Sequence, residues 1–313
     1  MFRITVAALC VPFVMNVALA QEWPTNPIEL VVQFPGGTTT DAVARHLGKY
    51  LGDELGQPVV VQNKPGAGGV IGVGHVARSK PDGYTIGTVN MPTLTIIPHL
   101  QTVSYDPLRD FTHLAVIGPY DYGIFVKANA PWATFEELVT YARENPGKLS
   151  YGTLAAGTTN QLTMQELGEE LGIDWLYVPY KGDNESLVAL LSDQIDLMNG
   201  SPNVTLPQVA SGDIRMLVST GPQRWEALPD VPTLKETGLT EIQQSSFLSL
   251  AAPKDLAPEA EQKLKNALES ILTDKQFITE IQEKYGQAVV FESGENYAQF
   301  IAENYKERAQ DLK

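Results

Sequence analysis

The sequence predicts an α/β fold made of two doubly wound lobes. The chain has 313 residues, enough for about two domains at roughly 150 residues each. Short apolar runs alternate with amphipathic helical stretches, and this alternation begins again near residue 123. The apolar fraction of 43% and the charged fraction of 19% are those of a globular protein, neither disordered nor fibrous.

The first part of the chain predicts three strands separated by two helices. The strands are short apolar runs, at Ile28–Phe34, Val59–Gln62 and Thr85–Val89. The helices are predicted at Asp41–Leu55 and Val70–Ala77, and the first of them has an apolar face every three to four residues. Because strands and helices alternate, we expect a mostly parallel sheet.

The second part repeats this order after Gly123. Its predicted strands are Gly123–Lys127, Leu149–Thr153, Trp175–Val178, Ile195–Met198 and Arg215–Ser219. Two helices are predicted to begin at capping boxes, Thr134 to Glu137 and Thr158 to Gln161, and to end near Glu144 and Leu171. A third helix is predicted near Leu187–Leu191.

The C-terminal part is predicted to return to the first lobe. It contains predicted strands at Phe247–Ala252 and Ala288–Phe291, and predicted helices at Pro258–Thr273 and Gly294–Gln310. We therefore expect residues 21–122 with 246–313 to form the first lobe and residues 123–245 to form the second.

Residues 1–20 are typical of a secretory signal peptide. Arg3 precedes an apolar run from Ile4 to Val14, which is too short for a membrane span, and cleavage is predicted after Ala20. The single cysteine, Cys10, lies in this segment, so the predicted mature chain has no thiol. We expect an exported protein in an oxidising compartment.

Composition and motifs disfavour several function classes. The net charge of −15 argues against nucleic acid and anionic membrane surfaces as partners. The four histidines show no metal-ligand spacing, so we expect neither a metal nor a cofactor. We find no nucleophile elbow and no P-loop, and we interpret the glycines of Gly72–Ala77 as close helix packing rather than a dinucleotide fingerprint.

Two glycine- and threonine-rich loops suggest an anion site. Gly36-Gly37-Thr38-Thr39 follows the first strand and precedes a helix, and Gly157-Thr158-Thr159-Asn160 does the same in the second lobe. Backbone N–H groups, hydroxyls and helix N-termini could hold a carboxylate there without a basic side chain. The plainer alternative for each loop is a glycine turn with a threonine helix cap.

Several strings, taken in order, resemble the solute-binding receptors of tripartite tricarboxylate transporters, the Bug-type periplasmic proteins. They are Val59 to Gly69 (VVVQNKPGAGG), Pro81 to Thr85 (PDGYT), Val178 to Gly182 (VPYKG) and Leu228 to Leu234 (LPDVPTL). The resemblance covers essentially the whole predicted mature chain. It implies the type II periplasmic binding protein fold, in which a ligand cleft lies between the two lobes.

The resemblance also implies a ligand site in that cleft. The residues that would line it are Phe34, Gly37, Thr38, Thr39, Asn90, Thr93, Gly157, Thr158, Thr159, Asn160, Asn199, Gly200 and Ser201. Two departures from the usual family pattern stand out. Thr38 occupies a position that is usually a second glycine, where a positive φ would be strained. Gly200 lacks the usual acid, which disfavours an amino-acid ligand.

The resemblance therefore implies a periplasmic receptor, not an enzyme. It would capture a small organic carboxylate (a di- or tricarboxylate or an aromatic acid) and deliver it to permease subunits of the transporter. Two alternatives stay open: docking on the ectodomain of a sensor kinase, and a periplasmic enzyme on the same fold. We expect a monomer that binds no nucleic acid.

Overall fold

The computed structural model describes residues 22–120, 122–154, 156–243 and 246–311, without the side chains of residues 310 and 311. The predicted signal peptide and its cleavage site lie outside these residues. In the described residues the strands are β1 (Ile28–Val32), β2 (Val59–Asn63), β3 (Thr85–Val89), β4 (Phe111–Pro119), β5 (Gly123–Lys127), β6 (Ser150–Leu154), β7 (Leu176–Tyr180), β8 (Leu197–Gly200), β9 (Ile214–Ser219), β10 (Phe247–Pro253) and β11 (Glu292–Ser293).

The helices surround these strands. They are α1 (Thr39–Leu55), α2 (Val70–Ala77), α3 (Ile97–Leu100), α4 (Phe135–Glu144), α5 (Thr159–Leu171), α6 (Asp183–Leu191), α7 (Pro202–Ser211), α8 (Pro258–Leu272), α9 (Lys275–Tyr285) and α10 (Gly294–Asp311). A π-helical turn at Pro92–Ile96 leads into α3. Within the described residues, no helix is both long and apolar enough to cross a membrane.

The strands form two mixed sheets, one for each lobe. The first has the order β11-β4-β10-β3-β1-β2 and the second the order β7-β6-β8-β5-β9. The predicted architecture of two α/β lobes is confirmed, but the expectation of mostly parallel sheets is wrong. Strand β10 pairs antiparallel with both β3 and β4, and β5 pairs antiparallel with both β8 and β9. The lobe boundaries at residues 122/123 and 245/246 stay a prediction.

Most predicted elements are present within a few residues of their expected bounds. The exception is the strand expected at Ala288–Phe291: only β11, at Glu292–Ser293, pairs there as a strand. The segment still lies against β4, because Val290 N donates to Ile117 O at 2.8 Å. Strand β4 and helices α3, α7 and α9 are additional elements that the sequence pattern did not predict.

Glycines allow α2 to pack directly on the end of β1. A Cβ on Gly72 would lie 2.8 Å from Gln33 Cα and 2.9 Å from Lys64 O, closer than real Cβ atoms approach. This confirms that the glycines of the Gly72–Ala77 string serve close packing.

Four apolar clusters fill the two lobes. The largest lies between the first sheet and helices α1, α8 and α9, and includes Leu47, Leu250 and Phe277. Sheet two has one cluster on each face: Leu197 lies in the cluster beneath α4 and α5, and Met198 in the one beneath α6. This alternation along β8 is that of a strand buried on both faces.

His113 is a buried titratable group of the first lobe. It lies on β4, with its ring edge-on to Tyr297 at a centroid distance of 5.4 Å, and it is 8% exposed. Burial lowers its pKa from 6.5 to about 4. Below pH 6.5 the unfolded chain therefore binds a proton at His113 that the folded chain does not bind. The free energy of unfolding falls as the pH falls.

We expect His113→Leu to remove this part of the acid sensitivity. Between pH 7 and about pH 4.5, the wild type should lose up to roughly 3 kcal/mol of unfolding free energy more than the variant. Denaturant unfolding at the two pH values measures the difference. Equal losses of unfolding free energy in the wild type and the variant would contradict the conclusion that the His113 imidazole is buried in its neutral form.

Candidate functional site

The topology places two crevices at equivalent points of the two lobes. From β1 the chain passes to β2 on one side and then returns to β3 on the other, with both parallel to β1. Strands β6, β7 and β8 repeat this arrangement. Ligands of open α/β sheets bind at such switch points, outside the carboxyl ends of the strands. The two predicted anion loops follow β1 and β6, so both lie at switch points.

The loop after β1 takes its sharp turn at Gly37. Gly37 has a φ of +85°, which favours glycine, and Thr38 has an extended conformation with φ −75° and ψ 162°. The strain expected at Thr38 is therefore absent, because the left-handed residue is Gly37. Thr38 Oγ1 caps α1 by accepting from Asp41 N at 3.3 Å, and Asp41 Oδ2 accepts from Gly37 N at 2.9 Å.

Asp41 is a buried carboxylate that holds this turn together. Its oxygens also accept from Arg45 Nε at 3.0 Å and from Asn63 Nδ2 at 2.8 Å. Burial by itself would raise the pKa of Asp41, but the bonds from Arg45, Gly37 and Asn63 outweigh it and lower the pKa below 3.8. Arg45 is thereby committed to the loop's own carboxylate.

The loop after β6 has the same shape. Gly157 has a φ of +80°, Thr158 is extended with φ −83° and ψ 158°, and Gln161 Oε1 accepts from Gly157 N at 3.0 Å. Gln161 thus takes the place of Asp41 without its charge. Both helices begin at these loops, so the N–H groups of their first turns precede the helical ladder and have no intrahelical acceptor.

The two capping-box predictions have different outcomes. Thr134 caps α4 as predicted, accepting from Glu137 N at 3.3 Å. For Thr158 the prediction is wrong, since its side chain makes no capping bond to α5. Its hydroxyl lies 3.0 Å from Leu154 O and 2.7 Å from Asn160 Oδ1 instead.

Asn160 connects the first turn of α5 to the end of β8. Its Nδ2 donates to Asn199 O at 3.2 Å, and both residues are 0% exposed. The carboxamide of Asn199 has no hydrogen-bond partner on either Nδ2 or Oδ1 among the described residues. A buried amide without hydrogen-bond partners lowers the stability of the fold unless a bound molecule pairs with it.

In the first lobe the corresponding polar residues are Asn90 and Thr93. Thr93 Oγ1 lies 2.8 Å from Asn90 Oδ1, and both side chains are buried. Gln33 joins them, since a Cβ on Gly69 would lie 3.0 Å from Gln33 Cγ and 3.2 Å from Thr93 Cγ2. Gln33 is 0% exposed, Thr88 bonds to its Oε1, and its Nε2 has no partner in the described structure. The sequence pattern does not reveal Gln33, because it falls within the predicted strand Ile28–Phe34.

The lobes meet around Gly37. Its carbonyl oxygen accepts from Asn184 Nδ2 at 3.3 Å and from Asn203 Nδ2 at 3.5 Å, and Thr39 Oγ1 donates to Asn203 Oδ1. Ser201 also contacts Asn203, with Oγ 3.1 Å from Oδ1. Asn184 and Asn203, at the starts of α6 and α7, are further site residues that the sequence pattern did not reveal.

A second contact between the lobes involves glycines. A Cβ on Gly68 would lie 3.1 Å from Ala156 O and 3.8 Å from the carbonyl carbon of Gly157. Gly68 itself has a φ of +64°. The loop before α2 therefore closes directly over the second anion loop, next to Gly69, Gln33 and Thr93.

Two predicted site residues contribute chiefly to packing. Phe34 is 5% exposed and lies in the core of the first lobe. Gly200 provides space, because a Cβ there would lie 2.5 Å from Met198 Cε. The other predicted residues lie at the loops and strand ends described above.

The site contains neutral donors and no metal cluster. None of the predicted site residues is Lys or Arg. Across the described ranges, no group of three or more His, Cys, Asp or Glu side chains could hold a metal ion. The arrangement can hold an anion through N–H groups and amides.

Two α/β lobes that meet at their switch points define the class of periplasmic binding proteins. The profile described as "Tripartite tricarboxylate transporter family receptor" matches residues 43–312. The chain belongs to this family. Its members are solute-binding receptors, so the protein is a receptor and not an enzyme.

Known proteins resemble the chain over most of its length. A Cupriavidus necator protein, "UPF0065 protein in gbd 5'region", is 38% identical over 92% of this chain and 87% of its own. MatC of Rhodopseudomonas palustris, solved with bound malate, has a TM-score of 0.84 and 25% identity, covering 93% of this chain and 100% of that chain. Rpa4515 of R. palustris, solved with adipate, has a TM-score of 0.83 and 28% identity, covering 91% and 96%.

Gly37→Ala should damage both the turn and the contact between the lobes. Forcing alanine into the left-handed region costs about 1–2 kcal/mol of stability, and the new Cβ would lie 3.3 Å from Asn184 Nδ2. Gly56→Ala is the matched control, since Gly56 has a φ of +68° and open space around it. Denaturant unfolding should show similar losses in both variants.

Only Gly37→Ala should enlarge the radius of gyration, which solution scattering measures. Equal radii for the two variants would contradict a role of Gly37 in lobe contact.

Proposed function

We propose that the protein captures a small organic carboxylate in the cleft between its lobes and delivers it to the permease subunits of a tripartite tricarboxylate-type transporter. The ligand class is a di- or tricarboxylate or an aromatic acid. Family membership supports the transport role, and the malate and adipate bound to two similar structures support the ligand class. The predicted signal peptide is consistent with delivery in the periplasm.

The observation that carries this proposal is the pair of matched loops at the two switch points. Each loop leads into the first turn of a helix and lacks a basic side chain. Hydrogen bonds from neutral donors to a charged group contribute roughly 1.5–3 kcal/mol each, and a helix N-terminus adds roughly 0.3–1 kcal/mol. A few such donors hold a carboxylate against the net charge of −15.

The backbone N–H groups are the main donors in this proposal. The hydroxyl protons of Thr38, Thr93 and Thr158 have acceptors within the protein, at Pro35 O, Asn90 and Leu154 O. The ladder of α5 begins with Leu162 N donating to Thr158 O at 3.0 Å. The N–H groups of Thr159 and Asn160 precede it, so they have no acceptor in their own helix.

Thr159→Pro tests this directly, because proline removes one N–H at the first helical position, where its ring is tolerated. The preceding residue is already extended, as proline requires. We expect the variant to bind its carboxylate about ten-fold or more weakly, at about 1.4 kcal/mol per decade. Calorimetric titration with malate, adipate, citrate and benzoate, on protein refolded from denaturant to remove bound acid, measures the change.

Two controls separate the N–H group from other effects. Thr159→Ala removes the side chain but keeps the N–H, so the loss of affinity in Thr159→Pro beyond that in Thr159→Ala measures the N–H group. Lys275→Pro removes the corresponding N–H at the exposed start of α9, whose cap Asp274 is also extended. If Thr159→Pro retains wild-type affinity, the start of α5 does not hold the ligand.

A further inference from the structure

Asn199 is a buried amide with both of its ends unpaired. Its side chain is 0% exposed, and neither Nδ2 nor Oδ1 has a hydrogen-bond partner in the part of the chain that the structure describes. Exchanging the oxygen and nitrogen of the amide does not change this observation, since a flipped amide would also have one unpaired oxygen and one unpaired nitrogen. The site therefore has one unmet donor and one unmet acceptor side by side.

The neighbours of Asn199 are committed to the protein. Asn160 Oδ1 contacts the hydroxyl of Thr158 at 2.7 Å, and Asn160 Nδ2 donates to the backbone oxygen of Asn199 at 3.2 Å. These bonds fix the first turn of α5 against the end of β8. They also leave the Asn199 side chain as the group beside that turn with both hydrogen-bonding ends unused.

This position determines which part of a ligand Asn199 would meet. Under the proposed function, a carboxylate rests on the free N–H groups of α5. Because Asn199 is bonded to that first turn through Asn160, we expect its side chain to meet a group on the carbon next to the carboxylate. Oxygens of a carboxylate can pair only with Nδ2, because they have no proton. A hydroxyl on the neighbouring carbon can donate to Oδ1 as well.

We propose that the ligand is a 2-hydroxy acid, and that Asn199 is the residue that selects it over the acid without the hydroxyl. An acid that lacks this donor would leave Oδ1 buried and unpaired, and sites of this kind reject such analogues strongly. The inference rests on the proposed function and narrows its substrate class.

An amino group is a poorer match than a hydroxyl. A buried ammonium needs a carboxylate partner, and the amide of Asn199 is neutral. Asp183, a buried acid at this end of the lobe, is turned to the start of α7, where its Oδ2 accepts from Ser201 N at 3.1 Å and from the Ser201 hydroxyl, while its Oδ1 has no partner in the described residues. Burial also raises the pKa of Asp183, which disfavours the charged form.

Matched ligands test the proposal on the unmodified mature protein. Malate and succinate differ only in a hydroxyl next to a carboxylate, and citrate and propane-1,2,3-tricarboxylate differ in the same way. By calorimetry, we expect the better-bound hydroxy acid to bind at least about ten-fold more tightly than its partner. Equal affinities within both pairs would overturn the inference but leave the proposed receptor function standing.

Asn199→Leu identifies the residue responsible. The variant should bind the hydroxy acid and its partner within about three-fold of each other, mainly through weaker binding of the hydroxy acid. Asn304→Leu is the control, because Asn304 lies on α10, outside the predicted site residues, and its Nδ2 donates within the helix to Phe300 O at 3.0 Å. It should keep the wild-type ratio.

Each remaining outcome has a definite meaning. A hydroxyl preference that survives in folded Asn199→Leu, checked by its thermal unfolding, would overturn the role of Asn199. Tighter binding of aspartate than of malate would overturn the choice of a hydroxyl. If the wild type binds none of these acids, nor adipate or benzoate, the proposed function fails together with this inference.

Discussion

The cleft depends on how α1 and α5 begin. In each case a glycine in the left-handed region turns the chain, and a side chain in the first helical turn accepts the N–H of that glycine. The first N–H groups of each helix precede its hydrogen-bond ladder and have no acceptor within the ladder. An acidic protein can bind an acid by this means, because the positive ends of local dipoles act at short range while the net charge acts through screening solvent.

The two loops differ in the charge of the side chain that accepts the glycine N–H, and this changes the electrostatic potential at the start of each helix. Asp41 brings a negative charge to the start of α1, and Arg45 and Asn63 hold that charge in place. Gln161 makes the equivalent bond without a charge. The start of α5 is therefore the better electrostatic position for a carboxylate. Asn160 ties this turn to Asn199, whose side chain has no partner among the described residues.

Local sequence pattern was sufficient for most elements but not for their assembly. The strands around both switch points were predicted because apolar runs, glycine turns and capping residues all act within a few residues. The place of β10 between β3 and β4 depends on pairing across more than a hundred residues, which no local pattern encodes. Helix α7 is not predicted from the sequence, because it contains Pro207 and proline inside a stretch argues against a helix.

The same distinction applies to the site. The glycine- and threonine-rich loops could be found from their residue types, and the structure brings them to equivalent positions. Residue types alone do not show which polar atoms already have hydrogen-bond partners within the protein. Thr158 resembles a helix cap in the sequence, yet its hydroxyl is turned back to Leu154, while the availability of Asn199 depends on contacts that only the folded chain creates.

The central position of β10 affects how the chain reaches its native state. The strands of the second sheet all come from one continuous stretch, Gly123 to Ser219, whereas the first sheet needs Phe247–Pro253 to join β3 to β4. Until that late segment arrives, β3 and β4 each present an unpaired edge, the kind of surface that invites pairing with other chains. We therefore expect the first lobe to form more slowly than the second, because its strand pairings span longer separations in sequence.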